Sequence, residues 1–245
     1  MASMEARSLP SPGRLGRTLI RLLMKRATVT ANETLADRFR LIALEGPGLM
    51  GILWTPGQKI QIAMGSAFVA RTYTPIAWNA DTGRTCILGY AHGTGPGSDW
   101  LRAAVPGTAC DIFGPRVSID IGRPSGPLVV FGDETAIGLA YALAYSVGVS
   151  IVAGLFEVGD VEISRSVTSQ LNLENCAFFA REVEDAHLPA LERELSALAS
   201  AGAMFVLAGK AASIQRVRRS LKLLDVPSQR IRTKAYWAPG KAGLD

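Results

Sequence analysis

The chain predicts a β + α/β protein: an N-terminal antiparallel six-stranded β-barrel followed by a doubly wound parallel-sheet domain. Three observations predict it. Residues 27–122 consist of short β-rich runs separated by the turn signals Gly46-Pro47-Gly48, Pro56-Gly57, Asp81-Thr82-Gly83 and Pro106-Gly107. Arg123-Pro124-Ser125-Gly126-Pro127 then reads as a linker. Beyond it strands alternate with helices, and Leu128-Val129-Val130-Phe131 and Met204-Phe205-Val206-Leu207 are apolar at every position, as in strands covered on both faces.

Taken in order, residues 1–26 form a basic N-terminal extension, partly disordered or a short helix. Its Leu15–Met24 segment spaces apolar residues at helical intervals around Arg14, Arg17 and Arg21. The barrel strands are expected at Ala27–Thr30, Arg38–Leu44, Lys59–Ala63, Val69–Pro75, Arg84–Tyr90 and Thr108–Phe113. Ser98–Ala104 is expected as a short helix set into the barrel, with Ser98 or Asp99 as N-cap. The nucleotide-binding part, 128–245, is expected to run strand Leu128–Phe131, helix Glu134–Ser146, strands Ser150–Phe156 and Ala177–Arg181, helix Pro189–Ser200, strand Met204–Ala208, helix Ala211–Leu224 and strand Ile231–Trp237, ending in a basic segment.

Composition excludes several classes. A chain of 245 residues buries an ample core without staples. Cys86, Cys110 and Cys176 are far apart and lack C-x-x-C spacing, so they suit small apolar strand residues better than a disulfide framework or a metal site. No apolar run is long enough to span a bilayer and no secretory signal is evident, so a cytoplasmic location is expected. The net charge of +5 is concentrated in the two chain ends. Aromatics are not interleaved with those basic residues, so an anionic small ligand fits better than nucleic acid.

The chemistry concentrates in two barrel segments. Arg71-Thr72-Tyr73-Thr74 offers a cation, an aromatic face and a hydroxyl along a strand. About twenty residues on, His92-Gly93-Thr94-Gly95-Pro96-Gly97-Ser98-Asp99-Trp100 offers a small-residue turn opening a helix, where backbone N–H groups receive an anion. The pair suits a flavin and its pyrophosphate. In the second part, Gly132-Asp133-Glu134-Thr135 lies at a strand-to-helix turn where a dinucleotide phosphate or ribose meets a helix start, although plain capping by Asp133 explains the acids equally well. Glu157 follows a strand and suits an adenosine ribose hydroxyl, whereas Arg165 or Arg181 suits a 2′-phosphate; NADH and NADPH stay open. No G-x-G-x-x-G is present, which disfavours a simple Rossmann dehydrogenase.

The order Arg-x-Tyr-Thr, His-Gly-x-Gly-Pro-x-Ser-x-Trp, Gly-Pro-Arg, Gly-Asp-Glu-Thr-Ala, Ala-Gly-x-Ala and a late Tyr-Trp resembles the siderophore-interacting protein family, a branch of the ferredoxin-reductase-like flavoproteins, over about residues 27–240. The resemblance implies an FAD-dependent NAD(P)H:ferric-siderophore oxidoreductase whose chemistry is borne by the cofactor, with no catalytic side chain and no protein-bound metal. It implies FAD contacts from Arg71, Thr72, Tyr73, Thr74, His92, Gly95, Gly97, Ser98 and Trp237. NAD(P)H contacts are implied for Gly132, Asp133, Glu134, Thr135, Glu157 and Gly209. Lys210, Arg216, Lys234, Tyr236 and Lys241 are candidates to meet an anionic ferric chelate. A monomer or weak oligomer is expected. The chain departs from the family in Ala208-Gly209-Lys210, where Glu is usual in place of Lys210, in Val117 after Gly114-Pro115-Arg116, and in Pro75-Ile76-Ala77-Trp78. Those departures keep two alternatives open: a siderophore- or haem-binding flavoprotein without efficient turnover, and a flavoreductase supplying a partner protein.

Overall fold

The computed structural model describes residues 23–66, 69–122, 124, 126–145 and 152–240. The Leu15–Met24 helix, the Ser146 and Ser150 ends of two elements, parts of the linker and Lys241 therefore lie largely or wholly outside the described residues.

The first half is an antiparallel sheet of β1 (Lys25–Ala36), β2 (Phe39–Glu45), β3 (Gln58–Ser66), β4 (Val69–Tyr73), β5 (Pro75–Asn79), β6 (Arg84–Tyr90) and β7 (Ala109–Val117), in the order β4-β3-β7-β1-β2-β6-β5. It has seven strands where six were expected. The run read as a single strand ending at Pro75 stops at Tyr73, and the chain resumes as β5 after Thr74 alone. This break closes the barrel. Seven strands spaced about 4.8 Å apart would separate the edges of a flat sheet by about 29 Å. The residues flanking Thr74 can be no more than about 7 Å apart, so the sheet must roll up until β4 and β5 meet. Val29, Ile42, Leu44, Ile60, Ile62, Ile87 and Ile112 fill its interior. Helix α1 (Pro96–Ala103) plugs one end, with Leu101 buried in that core. It starts earlier than expected, with Gly95 rather than Ser98 or Asp99 at the N-cap.

The second half is a wholly parallel sheet of β8 (Leu128–Gly132), β9 (Val152–Val158), β10 (Cys176–Ala180), β11 (Met204–Lys210) and β12 (Ile231–Trp237), ordered β10-β9-β8-β11-β12. Helices α2 (Ile137–Ala144) and α3 (Val161–Gln170) cover one face; α4 (Leu188–Ser200) and α5 (Ala211–Leu223) cover the other. The all-apolar strands divide by period two. Leu128 and Val130 join the core under α2 and α3, while Val129 and Phe131 join the core under α4 and α5. Helix α3 was not expected. Its polar sequence hides a start at Asp160, whose carboxylate accepts from the Ile163 N–H at 2.9 Å. The helix expected from Glu134 begins as a 3-10 turn, Glu134–Ala136, before α2. All three cysteines lie in strands and are free, as expected.

The two halves share one core. Phe39, Ile76 and Leu88 on the outer surface of the barrel pack with Ile137, Leu139, Ala140 and Val167 of the α/β half. This places the carboxyl ends of β8, β11 and β12 against the β4–β5 break of the barrel, forming the seam described next.

Candidate functional site

On β4, Arg71 pairs across from Ile62 and Tyr73 from Ile60, so both project from the same face. That face meets the start of α1. A Cβ added to Gly97 would lie 3.0 Å from Arg71 Cγ and 3.2 Å from Tyr73 Oη, so only glycine fits this approach without a shift. Tyr73 donates to the Gly97 carbonyl at 3.4 Å, and burial pushes its phenol well above the usual range. Arg71 Nη1 donates to the Ala70 carbonyl at 2.8 Å, and among the described residues no carboxylate pairs with it. The α1 N-cap, Gly95, carries no side chain, has φ +145°, and faces open space where a Cβ would stand.

The turn before α1 is held from within. Ser98 Oγ donates to the His92 carbonyl at 2.8 Å, and Arg102 Nη2 donates to the Gly93 and Ala91 carbonyls at 2.8 and 3.2 Å. Ser98 is buried and serves the turn, whereas the first-turn amides of α1 receive no side-chain cap. A guanidinium, uncapped helix amides and a glycine cradle fit the pyrophosphate of an FAD. Arg71, Tyr73, Gly95 and Gly97 are the residues that would hold it.

Across the seam, β12 supplies two aromatic residues. Tyr236 and Thr74 bring their hydroxyls to 3.4 Å, joining the break in the barrel to the α/β half. Burial pushes the Tyr236 phenol up to about 12. Trp237 stacks loosely on His92, centroids 6.1 Å apart at 28°, and donates from Nε1 to Asp133 Oδ2 at 2.6 Å. Asp133 is buried; its other oxygen accepts from the Thr135 N–H at 2.9 Å and from the Thr135 hydroxyl. Burial raises the Asp133 carboxyl above its ordinary value, against the pull of the Thr135 and Trp237 hydrogen bonds. Gly209 makes room for this arrangement: its φ is +102°, and a Cβ there would lie 2.6 Å from Asp133 Oδ2. Thr74, His92, Asp133, Thr135, Gly209, Tyr236 and Trp237, drawn from distant stretches of sequence, thus come together around one seam.

Other expected residues do not join them. Glu157 lies inside β9 rather than after it, is fully buried, and accepts from His187 Nε2 at 2.9 Å. The Glu182 N–H donates to His187 Nδ1 at 3.2 Å, so the ring proton sits on Nε2. Glu157 therefore offers no oxygen to a ribose at the surface. Glu157, Asp185 and His187 bring ligand-type atoms within 4.8 Å of one another, but that imidazole proton and the Lys210 ammonium on Asp185 make the cluster a charge network. Glu134 is likewise buried, taking both Arg181 Nη atoms at 2.6 and 2.7 Å and the Gly159 N–H at 2.8 Å. Lys210 donates to Asp185 at 2.7 Å, and the hydrogen bond it gives holds that carboxyl below its ordinary value. Arg216 forks onto Glu192 at 2.9 and 3.0 Å between α5 and α4, on the face away from the barrel. Thr72 lies on the opposite face of β4 from Arg71. Asp133 was expected at the site, but its hydrogen bond with Trp237, 104 residues away, was not legible in the sequence.

Residues 61–119 match the siderophore-interacting FAD-binding domain. The match spans β3 to β7 and includes Arg71, Tyr73, Thr74, His92 and α1. No curated protein sequence matches the chain. Among solved structures, a siderophore utilization protein from T. fusca is 20% identical with a TM-score of 0.70, covering 91% of this chain and 95% of its own. The siderophore-interacting protein from Acinetobacter baumannii is 23% identical with a TM-score of 0.70, covering 89% and 92%. Phthalate dioxygenase reductase, described as a modular structure for electron transfer from pyridine nucleotides to [2Fe-2S], is 15% identical with a TM-score of 0.72, covering 89% and 70%. These likenesses carry the fold, which is ferredoxin-reductase-like as the motif order implied. The domain match supports FAD binding by the barrel. No helix among the described residues is long and apolar enough to cross a membrane.

Proposed function

We propose that the chain is an FAD-dependent NAD(P)H:ferric-siderophore oxidoreductase. The observation that carries this reading is the seam itself, where the Arg71–Gly97 cradle and the Thr74–Tyr236 pair of the barrel face Asp133, Gly209 and Trp237 at the carboxyl edge of the parallel sheet. In a doubly wound sheet of order β10-β9-β8-β11-β12, the onward connections of the neighbouring strands β8 and β11 run in opposite directions, to β9 and to β12, and the ligand crevice lies outside the carboxyl ends at that point. Both β8 and β11 end at the seam, so a dinucleotide lying on them would present its nicotinamide to a flavin held by the barrel. Bound FAD supplies the conversion of one hydride into single electrons for chelated iron(III).

The protein's own residues bind, orient and cover. Arg71 and the α1 amides neutralise phosphate charge. Trp237, held by Asp133 and resting on His92, roofs the space between the halves, and the Thr74 hydroxyl is kept in place by Tyr236. No side chain of the protein needs to ligate iron, because the siderophore brings its own ligands.

The test is iron(II) trapping by a ferrous-specific dye with purified protein, FAD, a nicotinamide dinucleotide and a ferric siderophore. The reading expects dye formation that needs all four components. Dye formation independent of FAD, or absent while flavin is reduced, contradicts it; the latter outcome favours a flavoreductase serving a partner protein.

A further inference from the structure

We infer that the α/β half selects the dinucleotide lacking a 2′-phosphate, NADH, and that Glu134 and the loop after β10 make this selection. The inference rests on the reading above that a nicotinamide dinucleotide is the electron donor. At the carboxyl edge of such a sheet, an acid suits the ribose 2′-hydroxyl and an available Arg suits a 2′-phosphate. The described strands bring Arg181, just past β10, and Lys210, at the end of β11, to that edge.

Both cations are committed to acids of the same chain, and Arg165, in α3 after β9, pairs with Glu162 at 2.5 Å. Arg181 is forked onto Glu134, whose side chain is 3% exposed. Pulling Arg181 away toward a ligand would strand a buried carboxylate, which is strongly unfavourable. Lys210 is held by Asp185 at 2.7 Å. The loop that carries Asp185 adds Glu182 and Glu184, both exposed, so unneutralised charge on this loop is negative. Glu184 and Asp185 have φ of +55° and +58°, a left-handed turn that sets the loop's course just before α4.

A 2′-phosphate would bring roughly one and a half to two further negative charges to this edge. It would meet acids whose neighbouring cations are already neutralised. The 2′-hydroxyl of NADH meets carboxylates able to accept its hydrogen bond. Like-charge juxtaposition of this kind is expected to weaken NADP+ relative to NAD+ by about tenfold or more at low salt.

The test is calorimetric titration of the FAD-loaded protein with NAD+ and NADP+, repeated on Asp185→Asn, which releases Lys210, and on Glu184→Lys, which reverses a charge at an exposed position. Tighter NAD+ binding, with the ratio narrowed several-fold by either variant, supports the inference. Equal or tighter NADP+ binding overturns it and leaves the dinucleotide reading standing. A preference for NAD+ that neither variant changes overturns the assignment to this loop. Failure of both dinucleotides to bind overturns the proposed electron donor itself.

Discussion

Arg71 and Gly97 are 26 residues apart in sequence, yet the backbone of one stands against the side chain of the other. The contact ties a permanent cation to the uncapped start of α1, so their favourable action on a phosphate adds at one place. Arg71→Ala is expected to weaken FAD binding by about 1.5–3 kcal/mol, the worth of a charge-assisted hydrogen bond. Equilibrium titration of the apoprotein with FAD checks this, and unchanged affinity in a folded variant refutes the assignment. These barrel residues were legible because each lies in a short motif whose chemistry is local. Glu157, Glu134 and Arg216 were not, because in sequence a charged residue reads alike whether it faces a ligand or a partner 24–47 residues away. Only the folded chain shows that His187, Arg181 and Glu192 have claimed them.

Among the elements, α2 carries the contact between halves. Gly138 in α2 stands where a Cβ would be 3.3 Å from both Ile76 of β5 and Leu88 of β6, so the helix lies close against the barrel. Gly138→Val should wedge the two apart and destabilise the protein by about 1–3 kcal/mol, the usual cost of overpacking. Urea unfolding measures it, and a variant of unaltered midpoint argues against a shared core. On the far face, α4 and α5 are linked by the Glu192–Arg216 fork, which Ser220 supports at 2.7 Å. The hydrogen bonds from Arg216 hold the Glu192 carboxyl below its ordinary value. Its contribution is therefore present above the unfolded carboxyl range and is lost as pH falls through the lowered folded value. Glu192→Gln should cost stability at neutral pH, and the gap to the parent should close on acidification; a gap unchanged down to that pH contradicts the pairing. Regular elements with strong periodicity were readable in advance. β5 and α3 were missed because Pro75 follows Thr74 with no intervening turn signal, and because the buried face of α3 carries the polar Ser164 and Thr168 beside Val167.

At the scale of the whole molecule, the barrel-then-sheet order was plain from the change of hydrophobic period at residues 123–127, whereas the seam was not. No local pattern brings Thr74 to Tyr236 or Asp133 to Trp237, since those pairs depend on how α2 docks on the barrel. The motif order supplied the cofactor, and the geometry supplies a reason for it: two ligand-receiving edges face one another across β12. The proposed route of electrons runs from a dinucleotide, through a flavin bound at this seam, to a ferric chelate. Anaerobic stopped-flow absorption tests it most directly: FAD-loaded protein is mixed first with NADH and then with a ferric siderophore. Rapid bleaching of the yellow flavin is expected on the first mixing and return of colour on the second; a flavin that stays yellow with excess NADH and NADPH rules this route out.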